Sequence, residues 1–185
     1  MKKIVVFASG NGSNFQAIID QLHLKVCEVA LLICDNPSAY CIERAKSVGI
    51  ETFVFNPKLY DKKCDYELEI LSKLKKVDPS LIVLAGYMRI VSSTLLSVYE
   101  GKIINIHPAL LPAFKGRDGI GDALTYGVKV MGVTVHYVDT GIDTGKIIDQ
   151  ASFKRAENET ADESKQRIHE LEHQLYPKVI TQLLK

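Results

Sequence analysis

An α/β fold, a mostly parallel sheet with helices on both faces, is predicted by three observations. Short apolar runs rich in β-branched residues alternate with helix-length segments. The runs are nearly continuous in apolar residues, as expected of strands buried on both faces. The 185 residues are 46% hydrophobic and 24% charged, which suits one compact domain spanning 1–185.

The strand-like runs are 4–8, 26–34, 51–55, 81–85, 102–106, 132–138 and 146–153. Helix-length segments 14–22, 39–48 and 61–76 separate the first four. Parallel crossovers are right-handed, and ligands bind outside the carboxyl ends of such strands. The stretches after Ala8, Cys34, Ala85 and Ile106 are therefore the places to look for chemistry. Further on, Val133, Val135 and Tyr137 alternate with Thr134, His136 and Val138, a period of two. This strand and the next are expected to form an antiparallel addition. A last helix opens at Thr160, with Glu163 completing a capping box. Ile168, Leu171, Leu175, Val179 and Leu183 trace one face of it, and Pro177 is expected to kink or break it.

Charge excludes several partners. Lys and Arg number 23 and Asp and Glu 22, a net charge of +1, so no overall field gathers nucleic acid or anionic membrane. No apolar run approaches the ~20 residues of a membrane-spanning helix. Met1-Lys2-Lys3 leads into only five apolar residues, too few for a signal-peptide core, so a cytoplasmic protein is expected. Cys27, Cys34, Cys41 and Cys64 form no C-x-x-C pair and are expected to be reduced, without metal.

Ser9-Gly10-Asn11-Gly12-Ser13-Asn14 follows a strand and opens a helix. Glycines admit close backbone approach, and helix-start N–H groups favour an anion. Three readings stay open: a phosphate monoester site, a dinucleotide site with Asp35 on the ribose, or a tight turn with Ser13 or Asn14 as cap. The third glycine of a dinucleotide fingerprint is replaced by Phe15.

Asn105 and His107 stand two apart at a strand's carboxyl end, so both point to one side. Both donate hydrogen bonds, and histidine exchanges protons near neutral pH. Asp143 lies in the Gly-rich connection between the two late strands. A carboxylate facing an imidazole orients it and favours its charged form. The trio suits a tetrahedral oxyanion, as in acyl transfer. Turn-forming roles for His107 and Asp143 are the bland alternatives. In Ala85-Gly86-Tyr87-Met88-Arg89-Ile90-Val91, backbone groups are placed to hold a flat heterocycle between apolar walls.

Together, SGNGSN, AGYMRI, NIHPALLP and GIDTG resemble, in order and spacing, the phosphoribosylglycinamide formyltransferases, a branch of the folate-dependent formyltransferases. The resemblance implies a Rossmann-like formyltransferase fold. It implies transfer of a formyl group from 10-formyltetrahydrofolate, as co-substrate, to the amine of 5'-phosphoribosylglycinamide in purine biosynthesis. Asn105, His107 and Asp143 correspond to the family's catalytic trio. Gly12, Ser13 and Asn14 correspond to its phosphate-binding loop and Glu172 to its ribose-contacting glutamate. Its folate-binding positions fall on Met88, Arg89, Ile90 and Val91, on Asn105, and on Asp139, Thr140, Gly141, Ile142 and Asp143. Lys63 stands where the family often has arginine; the charge is kept and the fork geometry lost. No residue is carried over in the stretch 116–121. The chain stops at Lys185, where many relatives continue. The resemblance implies small-molecule substrates only, no metal, and a monomer or homodimer.

Rival readings draw on other residues. His169-Glu170-Leu171-Glu172-His173 matches H-x-x-E-H, the helix signature of one zinc-peptidase class, but no acidic residue follows Glu172 to supply a third ligand. A nicotinamide oxidoreductase uses Gly10, Gly12 and Asp35 but gives the Asn-Ile-His-Pro segment no task. A non-catalytic binding module leaves Asn105, His107 and Asp143 without one.

Overall fold

The computed structural model describes residues 1–185. Seven strands form one sheet in the order β3-β2-β1-β4-β5-β6-β7. The strands are β1 (Lys3–Ala8), β2 (Glu28–Cys34), β3 (Thr52–Val54), β4 (Leu81–Leu84), β5 (Ile103–His107), β6 (Val130–Tyr137) and β7 (Ile147–Lys154). Pairings among β1 to β5 are parallel. β6 runs antiparallel to both β5 and β7. The sequence anticipates the β6/β7 pair, and the antiparallel step falls one strand earlier, between β5 and β6. β6 is buried on both faces, where its alternation predicts distinct ones, because α6 packs against one face while the segment after β5, bonded to Thr134, and Asp143 beside His136 cover the other.

The period of two along β1 divides the core. Ile4, Val6 and Ala8 face α1 (Ser13–Leu22), α2 (Cys41–Ser47) and α6 (Ala161–Leu183). Val5 and Phe7 face α3 (Lys63–Val77) and α4 (Ser93–Leu96). Each wholly buried large apolar side chain, such as Ile18 or Ile70, contributes about 1.5–3 kcal/mol. Two helices lie outside the sequence expectation: the short α4 and α5 (Gly119–Tyr126), the latter capped by Asp118, whose carboxylate accepts from Gly121 N at 3.0 Å.

Helix α6 begins as its capping box predicts. Thr160 Oγ1 accepts from Glu163 N, and Glu163 accepts from Thr160 N at 2.8 Å. It does not break at Pro177. The missing proline N–H would orphan the carbonyl of His173, but Gln21 Nε2 on α1 donates to that oxygen at 2.9 Å. Tertiary packing thus overrides the local signal.

The Tyr176 hydroxyl, fully buried, donates to Leu84 O at 2.9 Å and lies 3.2 Å from Ile104 O. It ties α6 to the end of β4 and to β5 just before Asn105. Tyr176→Phe should destabilise the fold by about 1–3 kcal/mol, because buried carbonyls lose their donor. Urea denaturation measures this; an unchanged midpoint would mean that the bond is energetically idle.

Candidate active site

Three chain segments converge at the carboxyl end of β5. Asn105 pairs across the ladder with His136, and His107 with Thr134. The segment after β5 is pinned to the sheet by Thr134. Its hydroxyl donates to Ala109 O at 2.7 Å and accepts from Leu111 N at 3.0 Å. Gln150 Nε2 on β7 lies 2.9 Å from the same hydroxyl and 3.0 Å from Leu111 O.

Asp143 reaches this point from the β6–β7 connection. It sits in the left-handed region (φ 51°), which aspartate tolerates better than most residues. Its Oδ2 lies 3.4 Å from His107 Nδ1 and its Oδ1 3.5 Å from His136 Nε2. Oδ2 also accepts from Gly116 N at 2.8 Å. Burial alone would raise its pKa. The His136 contact, the Gly116 N–H and the His107 charge outweigh that and hold the carboxyl below its ordinary range.

His107 is 4% exposed, and its other nitrogen, Nε2, is 2.7 Å from Phe114 O. Acceptors therefore face both ring nitrogens. His136 turns Nδ1 to Tyr137 O at 2.9 Å and Nε2 toward Asn105 Nδ2 at 3.3 Å. The family resemblance groups Asn105, His107 and Asp143; in the structure Asp143 contacts His107 directly, and His136 links it to Asn105. The sequence reasoning did not single out His136, Phe114 O or Gly116 N. The alternation along β6 does put His136 two residues from Thr134 on one face, which was the available signal.

The stretch given no role, 116–121, forms one wall of the site. A Cβ on Gly119 would lie 2.9 Å from His107 Nε2 and 3.1 Å from Phe114 O. Gly119→Ala should therefore displace the imidazole. A misplacement of this kind should lower turnover by about ten- to a hundredfold with the fold retained. Steady-state kinetics with a melting curve tests this; wild-type turnover would show that the imidazole position is not critical.

A second cluster surrounds the glycine loop. Gly12 is the N-cap of α1, at φ 76°; neither Ser13 nor Asn14 caps the helix by side chain. The first helical bond runs from Gln16 N to Gly12 O, so the N–H groups of Ser13, Asn14 and Phe15 precede it. Arg44 of α2 braces the loop, with Nε on Asn11 O at 2.8 Å and Nη1 on Gln16 Oε1 at 2.9 Å. A Cβ on Gly12 would meet Cys41 Cβ at 2.6 Å, so glycine is required there by space as well as by φ. Buried Asn14 Oδ1 and His173 Nε2 have no partner in the chain. Glu172, 5% exposed, accepts from His169 Nδ1 at 2.9 Å. That contact raises the His169 pKa above its ordinary value, while burial lowers that of His173. In the H-x-x-E-H segment, His169 Nδ1 turns to Glu172, and no three His, Cys, Asp or Glu residues group as metal ligands.

The third cluster follows β4. Ser9 N donates to Gly86 O at 3.1 Å, and Ser9 Oγ accepts from Met88 N at 2.9 Å. Arg89, Ile90 and Val91 make no backbone hydrogen bond within the chain. Their N–H and C=O groups are free to hold the polar edge of a flat ligand, while Met88 and Ile90 expose apolar side chains. Asp139 closes its own turn, accepting from Gly141 N at 3.0 Å and Thr144 Oγ1 at 2.6 Å. Thr140, Gly141 and Ile142 are exposed. Lys63, the first residue of α3, lies 4.0 Å from the buried Glu67 carboxylate, which also binds Ser92 N. No contact joins Lys63 to the Asn105 cluster. Asp35 does not reach toward a ribose; it is 7% exposed and its Oδ2 accepts from Arg89 Nε at 2.8 Å.

An Asn–His pair at a strand end, backed by a buried carboxylate and flanked by an anion-suited helix start, has the form of an acyl-transfer site. The chain belongs to the formyl transferase family, whose model matches residues 2–180. It is 54% identical to a Bacillus subtilis phosphoribosylglycinamide formyltransferase, covering 100% of this chain and 95% of that one. It is 37% identical to the Drosophila melanogaster trifunctional purine biosynthetic protein adenosine-3, covering 99% of this chain but 14% of that longer one. Among solved structures, glycinamide ribonucleotide transformylase 1 from Geobacillus kaustophilus superposes with a TM-score of 0.96 at 52% identity, each chain covered completely. A phosphoribosylglycinamide formyltransferase from Streptococcus pneumoniae gives 0.94 at 48%, also over both whole chains. The chain is thus a formyl-group transferase with the mostly parallel α/β fold of these enzymes.

Proposed function

We propose that this transferase moves the formyl group of 10-formyltetrahydrofolate to the terminal amine of 5'-phosphoribosylglycinamide, in de novo purine (IMP) biosynthesis, through Asn105, His107 and Asp143. The observation that carries the reading is the cluster at the end of β5, where Asp143 contacts His107 directly and is linked to Asn105 through His136. The phosphate sits on the first-turn N–H groups of α1, with Gly12, Ser13 and Asn14, and the ribose on Glu172. The unpartnered Asn14 Oδ1 and His173 Nε2 near these elements support a polar ligand there. The pterin lies along Met88, Arg89, Ile90 and Val91, whose free backbone groups support that placement, and Lys63 faces the acidic end of the folate. Asp139, Thr140, Gly141, Ile142 and Asp143 close the other side.

The amine nitrogen attacks the formyl carbon, and the carbonyl electron pair moves onto oxygen. Asn105 Nδ2 and a His107 N–H donate to the oxyanion, which replaces Phe114 O as the acceptor for Nε2. Asp143 holds the imidazole and assists the proton from the attacking amine toward the departing folate nitrogen. Collapse breaks the bond to that nitrogen and releases tetrahydrofolate and the formylated ribonucleotide. The donor is already activated, so the chemistry calls for no metal. Residues 1–185 work as one formyltransferase domain, cytoplasmic, on small molecules, as a monomer or homodimer.

The test follows 10-formyltetrahydrofolate by absorbance with and without the ribonucleotide. Release that depends on the ribonucleotide, with formation of its formylated product, is expected. Equal release without it would replace this reading with a hydrolase.

A further inference from the structure

Asp35 is a buried carboxylate that none of the steps above employs. It follows β2, with its side chain 5% exposed, and its Oδ2 accepts from Arg89 Nε at 2.8 Å. Its Oδ1 is buried without any partner. Burying a carboxylate is costly, and one left half satisfied needs a reason. Arg89 is its only ion-pair partner; that side chain is 42% exposed, and its Nη groups have no partner in the chain. The residues around the pair tie two parts of the site together. Asn36 Nδ2 donates to Ser9 O at 3.2 Å, and Ser9 Oγ accepts from Met88 N. From Arg89 to Val91, the chain has no backbone hydrogen bond to fix its path. The ion pair is the one polar anchor between Met88 and Ser92 that comes from another element.

We propose that Asp35 is a positioning residue: by gripping Arg89 Nε it holds segment 88–91 in the conformation that receives the folate. The inference rests on the placement of folate along that segment. The pair fixes the arginine through Nε alone, which leaves both Nη groups without a partner in the chain and available to an anionic ligand. A lysine could not divide its donors in this way.

The test is a double-mutant cycle on the intact enzyme, with 10-formyltetrahydrofolate and the ribonucleotide varied separately. Asp35→Asn keeps the shape and removes the charge. It should raise the KM for 10-formyltetrahydrofolate about tenfold, with kcat and the ribonucleotide KM within about twofold. Arg89→Met should raise the same KM, and adding Asp35→Asn to it should change that KM no further. Arg89→Lys, at a half-exposed position that does not threaten folding, should raise it several-fold even if Asp35→Asn folds poorly. A rise with Arg89→Met but not with Asp35→Asn or Arg89→Lys would overturn the positioning role alone. No rise with Arg89→Met would overturn the folate placement and the inference with it. A parallel fall in kcat, both KM values and melting temperature would assign Asp35 to general stability and overturn the inference.

Discussion

His107→Ala and Asn105→Ala should each lower kcat about a hundredfold or more, the loss measured when one donor to an oxyanion is removed. The fold should survive both changes. Asn105 is the middle residue of β5 and His107 its last, and the strand's packing is carried by Ile103, Ile104 and Ile106. Circular dichroism and melting curves would verify this alongside the kinetics. Near-wild-type turnover in either variant would remove that residue from the reaction. The double variant is expected to lose far less than the product of the two effects, because both donors act on the same oxygen.

Asp143→Asn should cost about a hundredfold or more in kcat with little change in backbone, since asparagine also accepts the left-handed conformation seen there. The amide keeps an acceptor for Gly116 N but presents no charge to His107 or His136. The same variant tests the electrostatics. The folded-state pKa of Asp143 is depressed, so its contribution to stability is complete above the ordinary aspartate value of about 4 and is lost as pH falls below it. The melting temperature of the wild type relative to Asp143→Asn should therefore be highest near neutrality and decline toward pH 3. A difference that stays constant across that range would mean that the carboxylate is not held in its charged form by the fold.

Much of this site is readable from the chain itself, for identifiable reasons. A strand end with Asn105 and His107 two apart announces a shared direction, because the strand period is short and rigid. Gly12 announces a turn, because few other residues take its φ. The rest depends on contacts between distant segments. His136 gains its place from the register of β6 against β5, which no local pattern specifies. Phe114 and Gly116 act through backbone atoms, and every residue type has those. Gly119 matters through the space it leaves for His107. Asp35 sits where a nucleotide-binding acid would stand, but Arg89, 54 positions away, claims it. Pro177 misled for the opposite reason: the local rule is sound, and Gln21 supplies the remedy from another helix.

That remedy has a bearing on selectivity. Gln21 belongs to the helix that starts at the proposed phosphate site, and His173 neighbours Glu172 on the helix that carries the proposed ribose contact. Clasped where the last turn of α1 meets the middle of α6, the two helices act as a caliper of fixed span. On the proposed placement, a ligand would have to match the distance between its jaws. A ribonucleotide phosphate would then engage both ends, and a nucleoside without phosphate, or one with a longer spacer, only one jaw at a time. Recognition of the acceptor would then be a measurement of length, made before the reacting amine reaches His107.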